Sequence, residues 1–238
     1  MAVKRTLLLI LGLVGSLAAV TALYVSAVGT LMVYNTPQLP TASLPQKFAT
    51  AEISLPTVLS DTTLLLQNLY AYDGPFLENG SDAEVVNVAA LQVCNIGDRE
   101  LLKVHITLIM DTESYVFCGE HIPPGIPVVL LETDGKAFQK DGIIYCAGWQ
   151  ETKTQEPLEG IAVADRAMGT LVVTNLTNRT FYNVRVHYKS WLSPPDVYVG
   201  GITYEVQIPV LRPGQTEYLY PFHYATGFSK VVCVTADG

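Results

Sequence analysis

Four cysteines, four histidines and a few acidic pairs are the residues of this chain that could do chemistry. Cys118-Gly119-Glu120-His121 is the densest group. It places a thiol three residues from an imidazole, the two partners a cysteine nucleophile requires. That mechanism also needs a group to orient the base, and the pattern marks none. Pro123 and Pro124 follow at once and predict a loop. HExxH, GxSxG, P-loop and CxxC motifs are all missing. The expectation is therefore a protein that is not an enzyme, with no catalytic residue and no cofactor.

The histidines point the same way. His105 and His187 fall on the polar faces of predicted strands. In the internal repeat described below, His187 aligns with Thr107 and His105 with Arg185. A metal site carried by each repeat would need equivalent ligands in both. Both residues are expected at the surface, and no metal ligand is assigned. Asp82 with Glu84, and Asp111 with Glu113, lack the spacing of a calcium loop and read as solvated turns. Cys94, Cys118, Cys146 and Cys233 allow three full disulfide pairings, or they can be buried thiols; the spacing does not choose. The aromatic residues Trp191 and Tyr198 flank an inserted loop with two prolines. Loop aromatics of this kind can form a platform for a protein or glycan, so they are the candidate ligand-binding pair.

The elements that must position these residues follow from an internal repeat. Leu91–Leu108 (LQVCNIGDRELLKVHITL) aligns without a gap on Leu171–Tyr188 (LVVTNLTNRTFYNVRVHY). Asn95 then matches Asn175, Arg99 matches Arg179 and Val104 matches Val184. Further on, Tyr115-Val116 answers Tyr198-Val199 and Pro124-Gly125 answers Pro213-Gly214. Ile144-Tyr145-Cys146 answers Val231-Val232-Cys233. Two units are expected, over residues 75–149 and 157–238, with 150–156 as linker. Each alternates with period two. Val104, Ile106 and Leu108 face away from Lys103, His105 and Thr107, and Tyr182, Val184, Val186 and Tyr188 alternate with polar residues in the second copy. This is the signature of half-buried strands. Asn95–Asp98 and Asn175–Asn178 read as hairpin turns between them. The acceptor pattern for glycosylation at Asn175 and Asn178 is accounted for by the turn itself.

Upstream the composition changes. Residues 6–34 carry no charge, and Lys4 and Arg5 stand just before them. As a helix this run would measure ~43 Å at about 1.5 Å per residue, against a hydrocarbon core of ~30 Å. The bases in front predict a cytoplasmic N-terminus and an exported remainder. A cleaved signal peptide is the rival, but its apolar region would be about half as long. Residues 35–74 are expected as a Pro-rich stalk and lead-in, in which 57–74 reads equally as a short helix or an edge strand. The protein carries a net charge of -8 and its first acidic residue is Glu52, so the part beyond the leader is acidic. That excludes a polybasic nucleic-acid binder.

The repeated run, with Val93, Asn95, Val104, Ile106 and Leu108 in one copy and Val173, Asn175, Val184, Val186 and Tyr188 in the other, resembles the small Ig-like, FxLYD-type domains of single-pass envelope proteins of Gram-positive bacteria. Leu108–Asp111 is similar to that family's Leu-Tyr-Asp region, with Met110 in place of Tyr; the second copy departs there, reading Tyr188-Lys189-Ser190-Trp191. The resemblance implies exported binding or structural modules and offers no catalytic residues. The expected architecture is mainly β. A transmembrane signal anchor in residues 1–34 contacts the lipid bilayer through 6–34, and two tandem Ig-like β-sandwiches lie outside the cell membrane. Its expected role is to present binding or structural modules to a protein or glycan. The alternative is an accessory subunit of an envelope complex, and an unfamiliar hydrolase or redox enzyme comes third.

Overall fold

The alternation of apolar and polar residues is realised as strands over most of the described residues. A computed structural model describes residues 46–237 except 81–82, 111–112, 140–141 and 154–157. The anchor expected over 6–34 and the first part of the stalk lie outside the described residues. Among the described residues, no helix is long and apolar enough to cross a membrane.

The first half contains β1 (Gln46–Ile53), β2 (Thr57–Val58), β3 (Leu64–Phe76), β4 (Ala83–Asn95), β5 (Leu101–Met110), β6 (Glu113–Ile122), β7 (Pro127–Leu131) and β8 (Ile144–Thr152). The second contains β9 (Ile161–Arg166), β10 (Thr170–Asn175), β11 (Phe181–Leu192), β12 (Val197–Leu211), β13 (Thr216–Leu219) and β14 (Ser229–Asp237). They form three sheets, in the orders β1-β8-β5-β6, β13-β10-β9 and β14-β11-β12-β7-β4-β3-β2. The repeat is visible in these orders. The run β8-β5-β6 of the first copy corresponds to β14-β11-β12 of the second, and β7-β4-β3 corresponds to β13-β10-β9.

In each copy the core lies between two such runs. Val104, Ile106 and Leu108 of β5 meet Leu64 and Leu66 of β3 and Leu91 and Val93 of β4. Val184, Val186 and Tyr188 of β11 meet Leu171 and Val173 of β10. All the named residues of β5 and β11 belong to the apolar phase read from the sequence. Tyr182 is the exception in that phase, at 53% exposed.

Three expectations change. The segment expected as stalk is structural from Gln46 on: β1 pairs with β8, and Phe48 and Leu59 are buried in the first core. Of the two readings of 57–74, the strand one holds: 57–58 and 64–74 are strand around a turn, with β3 paired to β4. The stretch expected as linker begins inside β8, where Gln150 and Glu151 are buried.

The turns at Asn95 and Asn175 are not hairpins. β4 pairs with β3 and β7, whereas β5 pairs with β6 and β8, so the turn carries the chain from one sheet to the other. The same holds between β10 and β11. Such a crossing leaves backbone groups without ladder partners, and a fully buried asparagine supplies them. Asn95 Nδ2 donates to the Arg99 carbonyl at 2.6 Å and the Ile122 carbonyl at 3.2 Å, while its Oδ1 accepts from Gly97 N–H at 3.0 Å. Asn175 Nδ2 donates to the Arg179 carbonyl at 2.8 Å and the Leu211 carbonyl at 3.0 Å, and its Oδ1 accepts from Thr177 N–H at 2.9 Å. The glycines of the two Pro-Gly pairs complete the match. Gly125 N–H donates to the Asn95 carbonyl and Gly214 N–H to the Asn175 carbonyl.

These bonds also correct the alignment beyond the asparagines. Ile122 and Leu211 are equivalent, and Leu108 faces Tyr115 as Tyr188 faces Tyr204. Tyr204, not Tyr198, is therefore the counterpart of Tyr115. In the last strand Thr107 faces Ala147 and His187 faces Cys233, so Cys233 stands where Ala147 does. A register shift in β14 between these pairs and Tyr188↔Val231 moves Cys233 to the opposite face from Cys146.

Replacing either asparagine strands the same set of buried carbonyls. Asn95→Ala and Asn175→Ala are each expected to cost roughly 1–3 kcal/mol, read from urea unfolding. Because one sheet runs through both halves, both variants are expected to move one common transition. Two separately shifted transitions would show that the halves unfold independently.

Candidate functional site

On an isolated sandwich the polar face of β11 would meet water. Here it meets the first repeat, because β12 begins beside β7. Tyr198 and Val199 pair in parallel with Val128 and Val129, which joins the second copy's sheet to the first copy's. Close approach depends on two glycines. A Cβ on Gly201 would lie 1.8 Å from the Cys118 carbonyl oxygen, and one on Gly200 would lie 2.9 Å from Leu77 Cβ. β12 thus runs against β6 and the β3–β4 turn.

The covered face holds two polar groups. The first is Lys189, fully buried, whose Nζ donates to the Gly201 and Ile202 carbonyls at 2.7 Å each. Glu78 of the β3–β4 turn lies opposite, its Oε1 accepting from Gly201 N–H at 2.7 Å and Leu131 N–H at 2.9 Å. Burial lowers the Lys189 ammonium to about 8 despite the attraction of Glu78. Burial raises the Glu78 carboxyl against its backbone donors and Lys189.

The second group gathers side chains from six places in the chain. His121, at the end of β6, stacks on His187 of β11 with ring centroids 4.4 Å apart. Cys233 of β14 is the cross-strand partner of His187, which puts both side chains on one face. Its Sγ lies 3.4 Å from His121 Nδ1. Glu100, just before β5, bonds the same His121 nitrogen through Oε1 and accepts from Lys153 Nζ through Oε2 at 3.1 Å. His187 Nε2 meets Thr235 Oγ1 at 3.2 Å, and its Nδ1 lies 3.8 Å from Glu205. Arg185 links Glu205 to Asp237 at the outer edge. His121 has φ +50, a left-handed backbone uncommon outside glycine and found where surroundings over-determine a position.

Burial, together with the neighbouring His121, pushes His187 down to about 3, which keeps its ring neutral. Burial opposes the Glu100 carboxylate, but His121 and Lys153 outweigh it and hold its pKa below the ordinary range. The Cys233 thiol is pushed up by burial and by Glu100. The donor atoms of His121, His187 and Cys233 all lie within 4.8 Å of one another. As nucleophile and base, Cys233 and His121 are poorly arranged. A relay needs the thiol and the carboxylate on different ring nitrogens, and here both meet Nδ1.

Several sequence expectations are corrected here. His187, expected at the surface, is 5% exposed because the first repeat lies over it. His105 remains half-buried, stacked on Trp149. Cys118–His121 lies within β6 rather than in a loop, and Glu120 pairs with Lys103. Trp191 and Tyr198, expected as a loop platform, are 7% and 3% exposed and belong to the first repeat's core. They are cross-strand partners in T-shaped contact at 4.9 Å, and Lys230 Nζ lies 3.4 Å from the Trp191 ring centroid. The four cysteines are free thiols. Burial pushes Cys146 up to about 12 and also raises Cys94 and Cys118. Sequence reasoning missed Glu78, Glu100, Lys153 and Lys189; a buried-charge partner far along the chain leaves no local signal. The chain matches no family model and no curated protein.

The seam makes Gly201 a sensitive position. Gly201→Ala is expected to destabilise by roughly 3 kcal/mol or more, since the contact is with backbone and overpacking alone costs about 1–3. Gly214→Ala, whose Cβ would meet nothing within 4 Å, has only the cost of its φ of +68 to bear, roughly 1–2 kcal/mol. Thermal or urea unfolding of the pair checks the order.

Proposed function

We propose that this chain is a membrane-tethered, non-catalytic protein that presents two Ig-like sandwiches, locked into one rigid body, outside the cell membrane. The observation that carries this reading is the repeated strand order with its shared buried-asparagine turn, joined across the copies by β12 and β7. Rigid β modules behind an apolar, uncharged leader suit a role in holding a binding surface at a set distance from the bilayer. The resemblance to FxLYD-type envelope domains agrees with that role. The arrangement of Cys233, His121 and Glu100 on one ring nitrogen supports a non-catalytic reading.

The test uses the full chain in intact cells. An impermeant amine reagent is expected to label exposed Lys47 and Lys230 without permeabilisation, and the protein is expected to stay with the membrane through an alkaline wash. Labelling that appears only after permeabilisation would overturn the orientation.

The surface this reading favours for a partner lies away from the buried Trp191 and Tyr198 side chains. Tyr218, Tyr220, Phe222 and Phe228 are 61%, 74%, 78% and 69% exposed within one short stretch of chain. Met168, whose neighbour Gly169 is hydrogen-bonded to Thr226 of that stretch, is also exposed. Aromatic residues and Met left in water in this way favour the second reading, an accessory subunit that docks through this edge. A photo-crosslinking residue placed at Tyr220 or Phe222 is expected to trap an envelope protein, and one at Tyr182 to trap none. Equal yields at the three positions would count against a dedicated docking edge.

A further inference from the structure

We propose that His121, His187 and Cys233 form a binding site for a thiophilic metal ion of the zinc class, completed by the Glu100 carboxylate, which fastens the two repeats together. Two imidazoles and a thiol with donor atoms inside 4.8 Å match the ligand types and scale of a tetrahedral site. The three come from three different strands. Cross-strand pairing of His187 with Cys233 fixes one edge of the site, and the left-handed backbone at His121 turns the third donor toward it.

The surroundings have the features of a supported site. Metal-bound histidines are oriented by an outer hydrogen bond on the other ring nitrogen. For His187, Thr235 and Glu205 stand at the two ring nitrogens, so either choice of ligating atom leaves an orienting partner. Glu100 already touches His121 Nδ1 through Oε1 and is anchored from behind by Lys153 through Oε2, which holds its carboxylate beside that donor. The charge sum is favourable as well. A divalent ion would meet one thiolate and one carboxylate, a neutral site overall. On binding, the Cys233 S–H bond breaks, its proton leaves to solvent and a metal–sulfur bond forms; the thiol's raised pKa is overcome by the ion, as at any thiolate ligand. Since His121 and Glu100 belong to the first repeat and His187 and Cys233 to the second, one ion would serve the pair. That explains why the ligands do not recur in each copy.

The test is metal titration of the full chain after chelator treatment. One equivalent of Co2+ is expected to give thiolate-to-cobalt charge transfer and the visible bands of a tetrahedral site. Zn2+ is expected to bleach them and to raise the melting temperature. Cys233→Ser and His121→Asn are expected to weaken Zn2+ binding by at least roughly tenfold in competition with a chromophoric chelator, with His105→Asn unchanged. Should a variant fail to fold, the wild-type spectrum and the protection of the Cys233 thiol from alkylation by one equivalent of Zn2+ still decide. Absence of the charge-transfer band in the wild type, or Zn2+ affinity equal in wild type and a folded Cys233→Ser, would overturn the site. Copper(I) displacing Zn2+ stoichiometrically would still support a thiolate-containing site at these residues.

Discussion

The close approach of β12 to β6 and β7 is the constraint on which the rest of this structure depends. Two backbones come together at Gly201 and Cys118 more closely than any side chain would permit. Once they do, a parallel pairing of two residues on each strand joins the three-stranded run β14-β11-β12 to the four-stranded run β7-β4-β3-β2 as one seven-stranded sheet. The hairpin end of β11 and β12 then reaches into the first repeat, and Trp191 and Tyr198 fill its core. The proline-containing insertion of the second copy lengthens the hairpin enough to make that reach.

That approach has an electrostatic consequence. β11 alternates as a surface strand does, with Arg185, His187 and Lys189 on its polar face. Covering this face removes water from groups that need it, so every one must find a partner inside the protein. Lys189 finds carbonyls, Glu78 finds backbone amides, and His187 sits among His121, Thr235 and Glu205. Buried ionic groups of this kind contribute little net stability, and their value lies in demanding one arrangement. A seam built only of apolar residues would tolerate sliding; this one loses hydrogen bonds if the copies shift.

The two copies have also diverged in register while keeping their frame. The asparagine turns are nearly superimposable in their hydrogen bonds, because each must solve the same crossing between sheets. Past that frame, a single extra residue in β14 turns Cys233 out of the core, where Cys146 remains, and into the seam. A change of one residue in a strand exchanges its faces, which allows a duplicated unit to acquire a polar contact that its twin lacks.

The sequence alone determined the β character, the phase of β5 and β11, the duplication and the special place of Asn95 and Asn175. These depend on period-two alternation and on local turn chemistry, and both are written in neighbouring residues. It did not reveal that residues from Gln46 onward are strand, since β1 acquires its order from β8, nearly a hundred residues later. Nor did it reveal that His187 and Lys189 are buried, that Trp191 and Tyr198 are core, or that Cys233 has left its alignment. Each of those facts is set by which surface covers a strand's second face. Alternation says that a strand has two faces, and only packing against another part of the chain decides whether the polar one meets water.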